Sequence, residues 1–240
     1  MNAIGPIDPI DAKDVVRRGY DAVSARYDEA YGAGTKYADL LGELCRRVPA
    51  GGRILDVGCG SGVPVARVLT AAGYRVTGID ISATQIRRAR EHVPGAEFVV
   101  GDATTASFAP ASFDAVVSLY ALIHIPLPEQ PPLLRNIAGW LRPGGCFVAT
   151  TGHGAWTGTQ ENWLGGGAPM WWGHADAATN RAWITGAGLA VEREEFVPEG
   201  DSGHALFWAH RPPEGGAGRG RQSGIGMGAG SASRMRSGVQ

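Results

Sequence analysis

The sequence predicts an α/β fold in which a seven-stranded, mostly parallel sheet carries helices on both faces. Short apolar runs alternate with stretches of helical periodicity between residues 53 and 187, a pattern typical of a parallel sheet covered on both sides. The last two apolar runs, 189–196 and 204–210, flank a Pro-Glu-Gly-Asp turn. They predict a hairpin that adds an antiparallel strand at the C-terminal edge of the sheet.

Each predicted element has a local reason in the sequence. The first strand is an apolar run between glycines, and Ser82 is a typical N-cap for the helix after the second strand. The turn Arg142-Pro-Gly-Gly145 ends a helix and leads into the fifth strand. The strands before the hairpin are predicted at 53–57, 74–79, 97–100, 113–119 and 146–151. The helices are predicted at 64–72, 83–92, 132–141 and 176–187.

Three regions are predicted along the chain. Residues 1–40 form an N-terminal helical lid, and residues 41–212 form the core. The core carries a Trp- and Gly-rich insertion at 153–175, which we expect to be a loop. Residues 213–240 are rich in Gly, Ser and Arg, and this composition predicts a disordered tail because ordering a Gly-rich chain loses much entropy.

The composition restricts the possible partners and location. The 22 basic and 23 acidic residues leave a formal net charge of −1, without the basic footprint of a nucleic-acid-binding domain. No apolar run approaches the roughly 18 residues of a membrane span, and no secretion signal precedes the first helix. We therefore expect a cytoplasmic monomer or homodimer that contacts neither nucleic acid nor membrane. The three cysteines lack paired metal-ligand spacing, so no metal site is expected.

A glycine-rich turn, Asp56-Val-Gly-Cys-Gly-Ser-Gly62, follows the first strand. Glycines let the backbone turn sharply and let a ligand approach without intervening Cβ atoms. A dinucleotide site needs Gly or Ala three residues after the second glycine, but Val63 and Val65 occupy that place in the two possible registers. The Gly-Lys-Ser/Thr of a phosphate-binding loop is also missing. The turn therefore binds neither group in the usual way.

Two more carboxylates follow at the ends of strands. Asp80 ends the second strand about 20 residues beyond the turn, where a carboxylate can accept hydrogen bonds from both hydroxyls of a ribose. Asp102 follows the third strand in Gly101-Asp-Ala103. With the glycine turn and Leu141-Arg-Pro-Gly-Gly145, these residues resemble the class I S-adenosylmethionine-dependent methyltransferases of small molecules, a family with a Rossmann-like fold.

The resemblance implies S-adenosyl-L-methionine as cofactor and a role for each carboxylate. Asp56 would hold the amino group of the methionine moiety, Asp80 the ribose hydroxyls and Asp102 the exocyclic amine of adenine. Ile81 would lie against the adenine face. The other residues that the resemblance places at the cofactor are Tyr27, Gly58, Gly60, Ala103, Ser118 and Leu119.

The methyl acceptor is predicted from aromatic residues and one histidine. His124 follows the fourth strand, where an imidazole could accept a proton during in-line transfer, with Tyr20 of the lid assisting. Trp156, Trp171, Trp172 and His153 of the insertion are predicted to bind the acceptor, and His153 and His174 are equal runners-up to His124 as the functional histidine. They favour a small aromatic or heteroaromatic acceptor, such as an indole or a phenol, methylated at N, O or ring carbon.

Alternatives stay open at this point. The tryptophans could instead seal the edge of the core, and His124 could be a structural histidine. The fold could also serve a non-methylation reaction such as a cyclisation, or a non-catalytic cofactor-binding module. A nucleic-acid methyltransferase is disfavoured, because Ser118-Leu-Tyr-Ala stands where such enzymes carry Asn/Asp-Pro-Pro-Tyr/Phe.

Overall fold

The computed structural model describes residues 9–31 and 37–213, and it has the predicted α/β architecture. The strands are β1 (Arg53–Val57), β2 (Arg75–Asp80), β3 (Glu97–Val100), β4 (Phe113–Ser118), β5 (Leu141–Gly152), β6 (Trp156–Gln160), β7 (Met170–His174), β8 (Ala190–Glu199) and β9 (Ser202–His210). The helices are α1 (Pro9–Tyr31), α2 (Ala38–Arg47), α3 (Val65–Ala71), α4 (Ala83–His92), α5 (Gln130–Trp140) and α6 (Ala177–Gly186).

The main sheet has seven strands in the order β3-β2-β1-β4-β5-β9-β8. Strands β1 to β5 pair in parallel, whereas β9 runs antiparallel between β5 and β8. The predicted fold class, a Rossmann-like mostly parallel sheet with an antiparallel C-terminal hairpin, is confirmed. The chain reverses direction across the sheet between β1 and β4, and in such sheets ligands bind beyond the carboxyl ends of these strands.

Apolar stripes on the helices cover both faces of the sheet. On one face α2, α3 and α4 bury residues such as Leu44, Leu69 and Ile86. On the other face α5 and α6 bury Leu133 and Ile184, among others. Complete burial of a Leu or Ile side chain contributes roughly 1.5–3 kcal/mol to folding, so these two clusters hold the strand ends in fixed positions.

Helix α1 lies over the carboxyl ends of the strands and is attached to α4 by polar contacts. Asp21 accepts a hydrogen bond from the Ser82 hydroxyl at 2.6 Å, and the Ser24 hydroxyl donates to Gln85 at 2.6 Å. Asp28 is paired with the Arg88 guanidinium at 2.7 Å. Helix α1 lies within the range 1–40 that the sequence predicts as a lid, and the boundary at residue 40 falls inside α2, which extends to Arg47.

The insertion at 153–175 contains a two-stranded hairpin, β6–β7, so the expectation of a loop is wrong. Two of its strand glycines, Gly158 and Gly173, are covered by tryptophan rings, which compensate for the missing side chains. A Cβ at Gly158 would lie 2.6 Å from the Trp156 ring, and one at Gly173 would lie 2.3 Å from the Trp171 ring. The high Gly and Trp content therefore builds a hairpin in which rings lie flat over bare backbone.

The predicted tail lies outside the described residues, apart from Pro213. None of the helices in the described ranges is both long and apolar enough to pass through a membrane.

Candidate functional site

The glycine turn between β1 and α3 brings bare backbone to the end of the sheet. The backbone N–H groups of Gly58 and Cys59 donate to the Ile79 carbonyl at 2.8 and 3.1 Å, which ties the turn to β2. Gly58 and Gly60 have φ values of +72° and +53°, a region that disfavours any residue with a Cβ. A Cβ on Gly60 would meet nothing closer than 3.9 Å, so the space beside it is open to a ligand.

An elongated cavity, here called the inner cavity, runs from this turn along the ends of β1, β2 and β3. It encloses about 720 Å³, including space open to solvent, a size that suits a small-molecule cofactor. Ten of the predicted site residues line it: Tyr20, Tyr27, Gly58, Gly60, Asp80, Ile81, Asp102, Ala103, Leu119 and His124.

Asp80 is held in place by the backbone on both sides. Its Oδ2 accepts from the Gly60 N–H and its Oδ1 from the Ser82 N–H, each at 2.9 Å. Burial raises the pKa of the Asp80 carboxyl to about 6, and the two backbone donors partly oppose this rise. Each oxygen keeps a second lone pair, so the carboxylate can accept two further hydrogen bonds from a ligand.

Asp56 lies deeper, at the end of β1, and lines a second cavity that we call the turn cavity. Tyr27, Gly58, Gly60 and Leu119 line both cavities. Asp56 is 2% exposed, and its Oδ2 has no hydrogen-bond partner among the described residues. Burial and the neighbouring Asp80 raise the pKa of the Asp56 carboxyl to about 7. A buried carboxylate oxygen without a donor is costly, and a cationic ligand group would supply one.

Asp102 has a partner that the sequence did not reveal. The Lys13 ammonium of α1 lies 2.7 Å from the Asp102 carboxylate and 2.6 Å from that of Glu129. Thr104 donates to the other Asp102 oxygen from its backbone N–H and its hydroxyl, at 2.9 and 2.8 Å. Lys13 also lines the inner cavity, so α1 reaches this end of the site as well as the end at Tyr20.

His124 and Tyr20 form a hydrogen-bonded pair between the inner cavity and the acceptor side. The His124 Nδ1 lies 2.8 Å from the Trp171 carbonyl oxygen, which can only accept, so this nitrogen carries the proton. The Tyr20 hydroxyl therefore donates to Nε2 at 2.9 Å. Burial lowers the pKa of His124 to about 4, so the ring is neutral near pH 7.

Beyond this pair lies a third space, the aromatic chamber. Seven tyrosines and tryptophans line it, with Glu199 and His204 from the β8–β9 hairpin: Tyr20, Tyr27, Tyr31, Tyr37, Tyr120, Trp163 and Trp172. Tyr120 follows β4 with a φ of +62°, a conformation that is strained for a tyrosine and is often found at functional sites. It lines the inner cavity, the turn cavity and the chamber, and sequence reasoning missed it.

Four predicted residues lie elsewhere. Ser118 is fully buried and lines neither the inner cavity, the turn cavity nor the aromatic chamber. Trp171 is 6% exposed and packs against α1 in an apolar cluster with Val16 and Met170. His153 is exposed and packs on Phe196, with 4.8 Å between ring centroids. Trp156 lines a surface groove, the outer groove, which joins the chamber at Trp172, Glu199 and His204.

The described part of the chain offers no metal site. Within residues 9–31 and 37–213, no group of three His, Cys, Asp or Glu side chains is placed to hold an ion. The donor set around the cavities consists of carboxylates, backbone N–H groups and phenols, which suits an organic ligand.

Comparison with known proteins places this geometry in context. A profile of the methyltransferase domain matches residues 54–145. Among curated proteins, the 27-O-demethylrifamycin SV methyltransferase of Amycolatopsis mediterranei is 36% identical over 154 residues, covering 54% of this chain and 55% of that protein. The chain spans about half the length of the first curated relatives that it matches.

Solved structures share the fold. The Burkholderia thailandensis 1,6-didemethyltoxoflavin-N1-methyltransferase, solved with 1,6-didemethyltoxoflavin and S-adenosylhomocysteine, aligns with a TM-score of 0.69 at 16% identity, over 88% of this chain and 93% of that one. The [4+2]-cyclase SpnF aligns with a TM-score of 0.63 at 20% identity, over 84% and 97%. At such identities the likeness concerns the fold alone.

Proposed function

Since this chain belongs to the class I S-adenosylmethionine-dependent methyltransferases, we propose that it transfers a methyl group to a small aromatic or heteroaromatic acceptor. The observation that carries the proposal is the connection between the inner cavity and the aromatic chamber. A cavity with carboxylates at the ends of β1, β2 and β3 opens, past Tyr20 and His124, into a chamber walled by aromatic rings.

The residues present fit S-adenosylmethionine. Asp56 offers its unpartnered oxygen to the amino group of the methionine moiety, in the turn cavity. Asp80 offers two lone pairs to the ribose hydroxyls, and the bare backbone at Gly60 leaves room beside them. Asp102 lies at the adenine end, where it shares its oxygens between Lys13 and the ligand amine. The cofactor supplies a methyl group already activated as a sulfonium.

Tyr20 and His124 orient the acceptor. The Tyr20 proton is committed to His124, so the phenol oxygen keeps its lone pairs for an O–H or N–H of the acceptor. This contact turns the acceptor atom towards the inner cavity, and alignment of the reacting atoms is the main requirement of in-line transfer. A proton released by the acceptor can pass to Tyr20 as its own proton passes to His124. With a His124 pKa of about 4, this route suits acceptors with an acidic proton.

The experiment follows S-adenosylhomocysteine release from the full chain, given S-adenosylmethionine and a panel of phenols, indoles and aromatic amines. We expect turnover with at least one aromatic acceptor. Asp80→Ala should abolish cofactor binding, whereas Tyr20→Phe should lower kcat about 100-fold and leave the cofactor Kd unchanged. Turnover of aliphatic acids only would contradict the acceptor class. Tight cofactor binding without any S-adenosylhomocysteine release would instead indicate a cyclase or a binding module.

A further inference from the structure

The charges at the aromatic chamber are uneven. No lysine or arginine lines it within the described part of the chain, and His124 is neutral. Glu199, the last residue of β8, is the acid on its wall. Its Oε2 lies 3.2 Å from His204 Nε2, and its side chain is 37% exposed at the chamber mouth. An anionic acceptor would therefore meet a carboxylate and find no lysine or arginine to pair with.

Tyrosines surround this carboxylate. Burial raises the pKa values of Tyr31 and Tyr120, and the negative charge of Glu199 is the next largest cause. The carboxylate is therefore close enough to both rings to interact with them electrostatically. Aromatic faces carry negative potential and bind cations, above all when a carboxylate neutralises the charge from another side. Rings together with one acid form a cage suited to an ammonium group.

The two ends of the chamber differ. Tyr20 and His124 line both the chamber and the inner cavity, so they mark the end at which methyl transfer takes place. Glu199 and His204 line both the chamber and the outer groove, so they mark the opposite end. A group held at Glu199 would therefore lie on a different side of the chamber from Tyr20 and His124.

We propose that the acceptor carries a protonated amine, which Glu199 and the tyrosine rings bind at the groove end while a different atom of the acceptor, on its aromatic ring, faces Tyr20. This inference rests on the proposed function and names the acceptor class within it. Glu199 is then a specificity-determining residue that sets the orientation of the acceptor.

Matched probes test the charge directly. Tyramine, tyrosol and 4-hydroxyphenylacetate share one phenol ring and carry a positive, a neutral and a negative side group. Tryptamine, tryptophol and indole-3-acetate do the same for indole. Their Kd values are measured with S-adenosylhomocysteine bound, by calorimetry, because the indole probes themselves fluoresce in the range of tryptophan. In at least one series the cation should bind at least tenfold more tightly than the neutral analogue, and the anion most weakly.

Two variants separate a specific role from a general charge effect. Glu199→Gln keeps the shape and should reduce the cation preference to less than threefold, while the Kd of S-adenosylhomocysteine stays unchanged. Asp201→Asn removes the same charge from an exposed turn residue two positions away and should keep the wild-type preference.

Several results would overturn the inference. They are equal affinity for cation and neutral analogue in both series, a preference that survives in Glu199→Gln, or no binding of either tyramine or tryptamine at millimolar concentration. Weakening of S-adenosylmethionine binding in Glu199→Gln by as much as that of tyramine would assign the carboxylate to the cofactor and also overturn it. The titration measures affinity and does not depend on turnover. A protein that binds the probes as expected but releases no S-adenosylhomocysteine would contradict the proposed function and not this inference.

Discussion

Two regions of the molecule, which we call its two halves, hold their functional groups in different ways. Residues 54–145, which match the methyltransferase domain, hold the carboxylates at the ends of buried parallel strands. Residues 153–204 line the outer groove and contribute Trp163, Trp172, Glu199 and His204 to the chamber, from the β6–β7 region and the end of the β8–β9 hairpin. In the first half, backbone N–H groups hold Asp80 and contribute to holding Asp102, whereas the second half holds its rings by packing.

This difference indicates which half determines the affinity for the cofactor and which determines the affinity for the acceptor. The backbone donors that hold Asp80 do not depend on the side chains of Gly60 and Ser82, so this part of the inner cavity is set by the path of the main chain. The rings of the hairpins can be exchanged one by one without disturbing β1 or β2. Variants in the two halves should therefore separate cofactor affinity from acceptor affinity.

The largest effect is expected at Gly58. An added Cβ would lie 2.2 Å from the Ala121 Cβ, and φ is +72°, so Gly58→Ala must open the turn and strain the backbone. We expect the Kd of S-adenosylhomocysteine, measured by calorimetry, to rise at least 100-fold. Gly139→Ala in α5 is the control, since no heavy atom lies within 4 Å of its added Cβ and Ala favours a helix. Equal affinity in both variants would show that the turn does not shape the cofactor site.

The next largest effect is expected at Asp56. Removal of its charge should increase the stability of the free protein and weaken cofactor binding. The carboxyl pKa is about 7 in the folded chain and about 3.9 when unfolded, so the unfolded state ionises first and stability falls as pH rises from 4 to 7. Asp56→Asn avoids this loss. At pH 8 the cofactor-free variant should melt roughly 5 °C higher than the wild type, which corresponds to a gain of about 2 kcal/mol in the free energy of unfolding.

The same variant should bind the cofactor about 30-fold more weakly, because an amide cannot neutralise an ammonium group. In the wild type the cofactor Kd should fall as pH rises from 5.5 to 7.5, since the carboxyl must ionise, and this slope should flatten in Asp56→Asn. Asp201→Asn, at an exposed position, should change neither property. A variant that is less stable at pH 8 and binds normally would show that Asp56 is a structural acid.

The halves also differ in how far the sequence predicts them. Strands β1 to β5 and the carboxylates at 56 and 80 follow from local patterns, since apolar runs between glycines and acids at strand ends need no distant information. The β6–β7 hairpin could not be predicted, because Gly158 and Gly173 disfavour strands until rings cover them. The pairing of Lys13 with Asp102 joins residues 89 positions apart, and no local pattern indicates it.

His124 shows the same limit. The resemblance predicts that it lies near the transferred methyl group, which stays a prediction, and the structure places it beside Tyr20 at the chamber. Its protonation is set by the main-chain carbonyl of Trp171, a residue whose ring faces the core instead. Sequence patterns identify side chains, but they carry no information about which distant carbonyl a histidine will meet.

The smallest effect is expected in the second half, at Trp172. The centroid of its ring lies 5.5 Å from the ring centroids of His124 and Trp163. The residue lines both the chamber and the outer groove. Trp172→Ala removes this wall and should raise the Kd of the tightest-binding aromatic probe about tenfold, with the S-adenosylhomocysteine Kd changed less than twofold. Calorimetry measures both constants.

Phe196→Ala is the matched control for this last variant. Phe196 is 53% exposed on β8, packs on His153 and lines neither the two cofactor-side cavities, the chamber nor the outer groove, so its loss should alter neither constant. Trp172→Phe, which keeps a ring in place, should recover most of the probe affinity and rule out misfolding as the cause. If Trp172→Ala instead weakens cofactor and acceptor equally, the two halves are not separable, and the chamber and the inner cavity act as one binding site.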